Sequence, residues 1–163
     1  MRIELRHQVP GPPERAWEEL FSDPYENAVS ADQKLERQVL LDEAPGGKRH
    51  RRIHVIPDKR LPGAVAKVIG TERLSYVLDE RHDPARNRMD FVVTPDGMHE
   101  RVEVKGSWEV RAAPGGCERL VAIDITVRIP VVGARIEKQI GEDLKESYEA
   151  AAIFARRWLQ EHA

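Results

Sequence analysis

Apolar and polar residues alternate along most of the chain up to about residue 129, a pattern typical of half-buried β-strands. The first such stretch covers residues 2–9. Turn sequences rich in Pro, Gly, Asp and Asn separate the later stretches, so hairpins and an antiparallel sheet are expected. The alternation predicts six further strands, at about 33–42, 48–57, 72–82, 86–94, 101–112 and 117–129.

Two parts of the chain, one near its start and one at its end, instead place apolar residues three or four positions apart, as a helix does. Residues 12–21 begin with two prolines, which a helix start tolerates, and then place four apolar side chains on one face. A second short helix is expected at 24–30 and another near 62–69. From 131 to 162 apolar side chains recur every three or four positions. This segment predicts one helix of about 45 Å, at 1.5 Å per residue.

The later strands carry apolar side chains on one face and charged side chains on the other, so one face of the sheet must be covered. The apolar stripe of the last helix, which includes Ile136, Ile140, Leu144 and Tyr148, provides that cover. The predicted class is α+β. A curved antiparallel sheet of about seven strands wraps around the long C-terminal helix, in the order β-αα-β(six)-α, with the extra short helix near 62–69.

Length and charge narrow the functional classes. A chain of 163 residues with 33% charged residues predicts a single globular domain over 1–163. The net charge of −2 gives no electrostatic argument for a nucleic-acid partner. Cys117 stands alone, the start is not a signal peptide, and no apolar run is long enough to span a bilayer, so a cytoplasmic protein without an integral membrane segment is expected. Monomer and homodimer both remain open.

No motif identifies a catalytic centre, a metal site or a cofactor. HExxH, P-loop, GxSxG and GxGxxG patterns are all absent from the sequence, so no catalytic residue, no metal and no cofactor is predicted. The basic run "KRHRR" at 48–52 is expected to form a solvated hairpin arm. The histidines show no metal-ligand spacing; they are His7, His50, His54, His82, His99 and His162.

Four residues carry alternative interpretations. His54 would be a general base only if the fold places it beside a cavity. Arg37 would meet an acidic ligand group at a cavity mouth, or pair as a strand-end arginine. Gly141 in the last helix marks either a close ligand or hinge, or close packing against a strand. Gly106, on the apolar side of its strand, suggests a bulge.

Three segments resemble the START and birch-pollen-allergen-like superfamily, also called SRPBCC or helix-grip proteins. "VPGPPERAWEELFSDPY" matches the proline-containing helix start after the first strand of those proteins. "RLPGAVAKVIGTERLSYVLDERHD" and "RIPVVGARIEKQIGEDLKESYEAAAIFARRWL" are similar to the middle and end of a bacterial domain-of-unknown-function family within that superfamily. The resemblance covers nearly the whole chain.

The resemblance implies a cavity between sheet and C-terminal helix that binds or carries a hydrophobic small molecule, such as a lipid or polyketide-like compound. A polyketide cyclase/dehydratase-type enzyme using a Tyr or His in that cavity, and a protein-interaction module with a closed core, are the alternatives. Core packing is the alternative role for each predicted lining residue. The predicted ligand-binding residues are Tyr76, Phe91, Trp108, Ile123, Ile136, Ile140, Leu144 and Tyr148.

Overall fold

The computed structural model describes residues 1–98 and 100–163. Its strands are β1 (Arg2–Val9), β2 (Leu35–Glu43), β3 (Arg49–Pro57), β4 (Tyr76–Asp83), β5 (Arg88–Pro95), β6 (Val102–Ala113) and β7 (Gly116–Val127). Its α-helices are α1 (Pro13–Glu19), α2 (Asp23–Gln33), α3 (Gly63–Ile69) and α4 (Gly133–Glu161). Short 3-10 turns occupy Pro45–Gly47 and Pro84–Arg86.

The strands form one curved antiparallel sheet in the order β1-β7-β6-β5-β4-β3-β2. From β2 to β7 each strand pairs with the next along the chain, and α3 lies in the connection between β3 and β4. β1 pairs with β7, so the two ends of the strand-forming sequence meet in one sheet. The register of β2 shifts between Val39 and Leu41, which is a bulge that bends this edge strand.

The inner face of the sheet is covered by α4. On β7 every second residue from Cys117 to Val127 is buried, and α4 packs against β7 and β1. Ile136 near the start of α4 is 2% exposed, and Leu159 near its end is 0% exposed. The helix therefore buries one stripe over its whole length. Within the described ranges no helix is long and apolar enough to cross a membrane.

The predicted helix-grip architecture is confirmed, including the short helix α3. β4 begins at Tyr76, later than predicted, because Thr71 holds the preceding residues in a turn. Its hydroxyl donates to the Arg73 carbonyl at 2.9 Å and accepts from the Arg73 amide at 3.4 Å. α2 runs to Gln33, beyond its predicted end, and stops where Lys34 adopts the left-handed conformation at φ 55°.

The bulge predicted at Gly106 is wrong. Gly106 pairs with Phe91 on one side and with Ile123 on the other, without a register shift. A Cβ atom at Gly106 would lie 2.5 Å from the Ala122 carbonyl oxygen and 2.5 Å from Phe91 Cζ. Glycine is required here because the Phe91 ring packs directly over the strand.

Gly141 shows the close strand packing expected as one of its alternatives. A Cβ at this position would lie 2.7 Å from Met1 Cε and 3.1 Å from Ile3 Cδ1. Both contacts are the ends of flexible side chains at the start of the chain. The glycine thus lets α4 approach the β1 edge of the sheet.

These contacts predict different costs for adding one methyl group. Gly106→Ala should lower the free energy of unfolding by about 1–3 kcal/mol or more, because backbone and ring atoms cannot both move away. Gly141→Ala should stay within about 1 kcal/mol of wild type, since the gain in helix propensity offsets the displacement of Met1. Urea unfolding monitored by circular dichroism measures both. Equal losses in the two variants would contradict this assignment.

Candidate functional site

The predicted binding residues mostly lie together in the core between the sheet and α4. Phe91, Ile123 and Ile136 are buried, and the partly buried Trp108, Ile140, Leu144 and Tyr148 pack against the same core. Trp108 Nε1 donates to the Tyr148 hydroxyl at 3.4 Å. Tyr76 lies at the start of β4, and burial of its hydroxyl raises the pKa of Tyr76 to about 12. Their role in ligand binding stays a prediction.

The inner face also carries polar side chains that the sequence interpretation missed. Each except Arg51 occupies a strand position whose neighbours two residues away are apolar or buried; Arg51 lies between the partly exposed Arg49 and the buried Ile53. His7, for example, lies between Leu5 and Val9, so a search for polar exceptions in the apolar set would have found it. All are at most 5% exposed; they are His7 on β1, Arg51 on β3, Glu80 and His82 on β4, and Arg119 on β7.

Arg51 is the centre of a buried ion cluster. Its guanidinium donates to both carboxylate oxygens of Glu26, at 2.8 and 2.7 Å. It also donates to Glu80 Oε1 at 2.6 and 3.1 Å. Arg37 donates to Glu26 Oε2 at 3.1 Å, so it forms a pair, as the second of its two interpretations predicted. Two carboxylates thus face two guanidinium groups, and the buried charges compensate one another.

The cluster sets the protonation of its members. Burial opposes ionisation of Glu26, but the hydrogen bonds and charges of Arg51 and Arg37 outweigh it and lower the pKa of Glu26. Burial raises the pKa of Glu80, and Arg51 offsets part of this shift. Burial, followed by the charge of Arg51, lowers the pKa of His82 to about 4. His82 is therefore neutral at neutral pH.

Arg119 is a buried cation in a different setting. Its Nη2 donates to His7 Nδ1 at 3.0 Å, while its Nε has no hydrogen-bond partner. The guanidinium carbon lies 4.5 Å from the centroid of the Trp108 ring and 5.8 Å from that of Tyr148. Burial lowers the pKa of Arg119, because the charged form loses its hydration.

His7 connects Arg119 to the surface. Because a guanidinium group only donates, His7 Nδ1 is the acceptor and the neutral ring carries its proton on Nε2. Burial, followed by the charge of Arg119, lowers the pKa of His7 and keeps the ring neutral. His7 Nε2 lies 3.5 Å from Glu149 Oε2, at the limit of hydrogen-bond distance, and makes no hydrogen bond of good geometry.

Arg119 also lines a pocket between α1 and the sheet. The Trp17 and Phe21 rings stack at 5.5 Å between centroids, and Phe21 lies 5.3 Å from Trp108. The pocket has no room for a water molecule. Of the predicted binding residues, Trp108 alone is in its lining, which consists of Val9, Ala16, Trp17, Leu20, Phe21, Trp108, Val110 and Arg119.

A third unpaired nitrogen lies behind the pocket. The His82 ring packs edge-on against Phe21 with centroids 4.5 Å apart. Its Nε2 has no hydrogen-bond partner and lies 3.9 Å from Glu80 Oε2. Native proteins pair most of their buried polar atoms, so three unpaired nitrogens in one interior need a physical explanation.

The other candidates lie away from this interior. His54 pairs with Asp96, at 2.7 Å between Nε2 and Oδ2, near the surface.

The solvated-arm prediction for residues 48–52 is wrong for Arg51, since strand alternation turns it inward while Arg52 stays exposed. His99 lies outside the described residues. Among the residues that the structure does describe, no group of three His, Cys, Asp or Glu side chains is placed to hold a metal ion.

The Arg51 cluster predicts a pH-dependent stability. Arg51→Met should lower the free energy of unfolding by about 3–5 kcal/mol at pH 7, because it leaves two buried carboxylates without their main partner. The lowered pKa of Glu26 stabilises the wild type above the ordinary value of 4.5, and this contribution is lost as the pH falls through the folded-state pKa. In the variant, burial without Arg51 raises both carboxyl pKa values, so protonation relieves the penalty. The deficit should therefore shrink from pH 7 to pH 4 in urea unfolding.

Arg52→Met is the matched control, because the Arg52 side chain is exposed and its ion pair with Asp79, at 3.4 Å, is in contact with solvent. It should change the free energy of unfolding by at most about 0.5–1 kcal/mol. A similar loss in both variants, or a deficit for Arg51→Met that does not change with pH, would contradict the assigned cluster.

Comparison with known proteins supports the predicted resemblance. The model of a family described as "Protein of unknown function (DUF2505)" matches residues 4–159. No curated protein matches the sequence. Among solved structures, the protein TTHA0849 from Thermus thermophilus aligns with a TM-score of 0.71 at 15% identity, over 100% of this chain and 99% of that chain.

Two further solved structures share the fold. The Zhui aromatase/cyclase from Streptomyces sp. R1128 has a TM-score of 0.67 at 14% identity, over 98% of this chain and 93% of that one. The Bet v 1-like protein Ara h 8.0201 has a TM-score of 0.64 at 13% identity, over 95% and 97%. At such identities the likeness shows the fold alone. The chain belongs to the DUF2505 family and has the helix-grip fold.

Proposed function

We propose that this protein binds or carries a hydrophobic small molecule in the interior between its sheet and helices. The observation that carries the proposal is the unpaired, buried Nε of Arg119, a residue that lines a pocket together with three aromatic rings. Two further nitrogens of the same interior, His7 Nε2 and His82 Nε2, also have no hydrogen-bond partner among the described residues. A core shaped only by packing would leave such positions apolar, since an unpaired buried donor costs about 1–3 kcal/mol. A ligand that pairs with Arg119 Nε removes that cost at this position.

The lining suits an apolar ligand. Trp17, Phe21 and Trp108 present large apolar surfaces, and burial of such surface contributes about 25 cal/mol per Å² before ordering costs are subtracted. Binding sites for small molecules combine mostly apolar walls with a few placed polar groups. Arg119 is the polar side chain of this lining.

Binding requires the aromatic side chains to move. The pocket is closed to water in this structure, so a ligand must displace the rings that fill it. Trp17 is partly buried on the short helix α1, and its Nε1 donates to Asn87 Oδ1 at 3.0 Å in the β4–β5 turn. We infer that release of this contact, with a shift of α1, opens the pocket.

A cyclase/dehydratase-type enzyme is the second candidate function. The contacts from Glu149 to His7 and from His7 to Arg119 favour it. They align a carboxylate, an imidazole and a guanidinium, and the guanidinium belongs to a residue of the pocket wall. One structural neighbour is named as an aromatase/cyclase. Turnover of a polyketide-like substrate by wild type, lost in His7→Gln with ligand binding retained, would favour this candidate over a carrier.

A closed interaction module is the third candidate. It requires a contiguous exposed apolar patch. The exposed large apolar side chains of the described residues lie on several different elements; they are Met1, Val39, Leu40, Val68, Val92, Val131 and Ile153. This distribution favours the small-molecule proposal.

Native mass spectrometry of freshly purified protein, followed by organic extraction, tests the proposal. We expect a stoichiometric apolar compound, or an adduct after incubation with a panel of lipids and polyketide-like compounds. Ala16→Leu fills the pocket and should abolish the adduct. Ala150→Leu, at an exposed position of α4, is the matched control and should retain it. An unliganded mass throughout the panel would contradict the proposal and favour the closed module.

A further inference from the structure

The two arginines buried on the inner face of the sheet differ in how their charge is balanced. Arg51 has direct carboxylate partners in Glu26 and Glu80. No ion pair between described residues includes Arg119, which is 2% exposed and donates to a neutral imidazole. A buried charge without a counter-charge is costly, so its retention in a core calls for a partner.

The acidic side chain of Glu149 acts on Arg119 only from a distance. Glu149 lies beside the far nitrogen of His7, at 3.5 Å, so a whole imidazole ring separates its carboxylate from Arg119. The side chain of Glu149 is 53% exposed, and solvent screens its charge. The faces of Trp108 and Tyr148 stabilise the guanidinium in part through cation–π contacts.

Arg119 also retains a donor that an anion could use. Its Nε has no partner, and its side chain forms part of the pocket wall beside Trp17, Phe21 and Trp108. Guanidinium groups bind carboxylates through two parallel N–H donors, and Nε together with one Nη forms such a pair. The guanidinium carbon lies 4.5 Å from the centroid of the Trp108 ring, so apolar surface is next to these donors.

We propose that the ligand is a hydrophobic anion whose acidic group, a carboxylate or its equivalent, pairs with Arg119 while its apolar part lies among the aromatic rings. The inference rests on the proposed small-molecule function and specifies the ligand class for it. A neutral ligand of the same size would leave the buried charge without its counter-charge. The protein is therefore expected to bind the anion more tightly than the neutral molecule.

Two matched pairs of acids and alcohols test the inference. Decanoate is compared with 1-decanol, and 2-naphthoate with 2-naphthalenemethanol, by isothermal titration calorimetry or by quenching of tryptophan fluorescence. Each pair shares one apolar body and differs in the charge of its head group. We expect the acid to have a Kd at least about tenfold lower than the alcohol, the size expected for a charged hydrogen bond.

Two variants assign the preference to Arg119. Arg119→Met removes the charge and keeps an apolar side chain, so the acid and the alcohol should bind it about equally. Arg111→Met is the matched control, because Arg111 lies exposed on the outer face of β6, where it pairs with Glu109 at 2.9 Å. It should retain the wild-type preference. Circular dichroism checks that each variant is folded.

The outcomes separate the inference from the function on which it rests. Equal binding of acid and alcohol by the wild-type protein would overturn the anion inference and leave the small-molecule function standing. So would a preference that survives in Arg119→Met. If neither member of either pair binds the wild-type protein, both the function and the inference fail. The wild-type comparison needs no variant to fold.

Discussion

An antiparallel sheet that is polar on one side can fold only if its other side is covered, and α4 provides that cover. The helix crosses the inner face along its whole length and packs most closely on β7 and β1. The side chains that β7 directs inward are thereby removed from water. The apolar ones stabilise the fold by this burial. The polar ones must find partners inside it.

The interior meets that requirement unevenly. Arg51 and its carboxylates form a nearly neutral cluster that fixes α2 against β3 and β4. Arg119 and His7, on β7 and β1, are held by one mutual hydrogen bond and by aromatic faces. A paired cluster is sufficient for structure. Within the described part of the chain, the buried charge of Arg119 has no such carboxylate partner, so the stability of the fold does not explain why it is there. Arg119 lies in the wall of the aromatic pocket.

The sequence predicts the fold well because strand and helix periods are local. Alternation identifies every strand within a few residues, and the spacing of Ile136, Ile140 and Leu144 identifies α4. The start of β4 is less predictable, because a single hydroxyl–backbone turn at Thr71 decides it. The need for glycine at position 106 depends on a ring from the neighbouring strand, which no local pattern contains.

The candidate site is less predictable for a different reason. The apolar wall residues follow from alternation, but the polar side chains among them are exceptions to that pattern. Arg119 has the same parity as Val121 and Ile123, and this exception is the signal that the sequence offers. Which buried arginine has a carboxylate beside it depends on the packing of α2 and α4. Only the three-dimensional arrangement distinguishes Arg51 from Arg119.

The most direct test of this account is a crystal structure of the protein grown with 2-naphthoate. We expect the ring system among Trp17, Phe21 and Trp108, with the carboxylate at hydrogen-bond distance, about 2.7–2.9 Å, from the Arg119 guanidinium. A naphthoate bound only outside the interior, or bound inside without contact to Arg119, would contradict it.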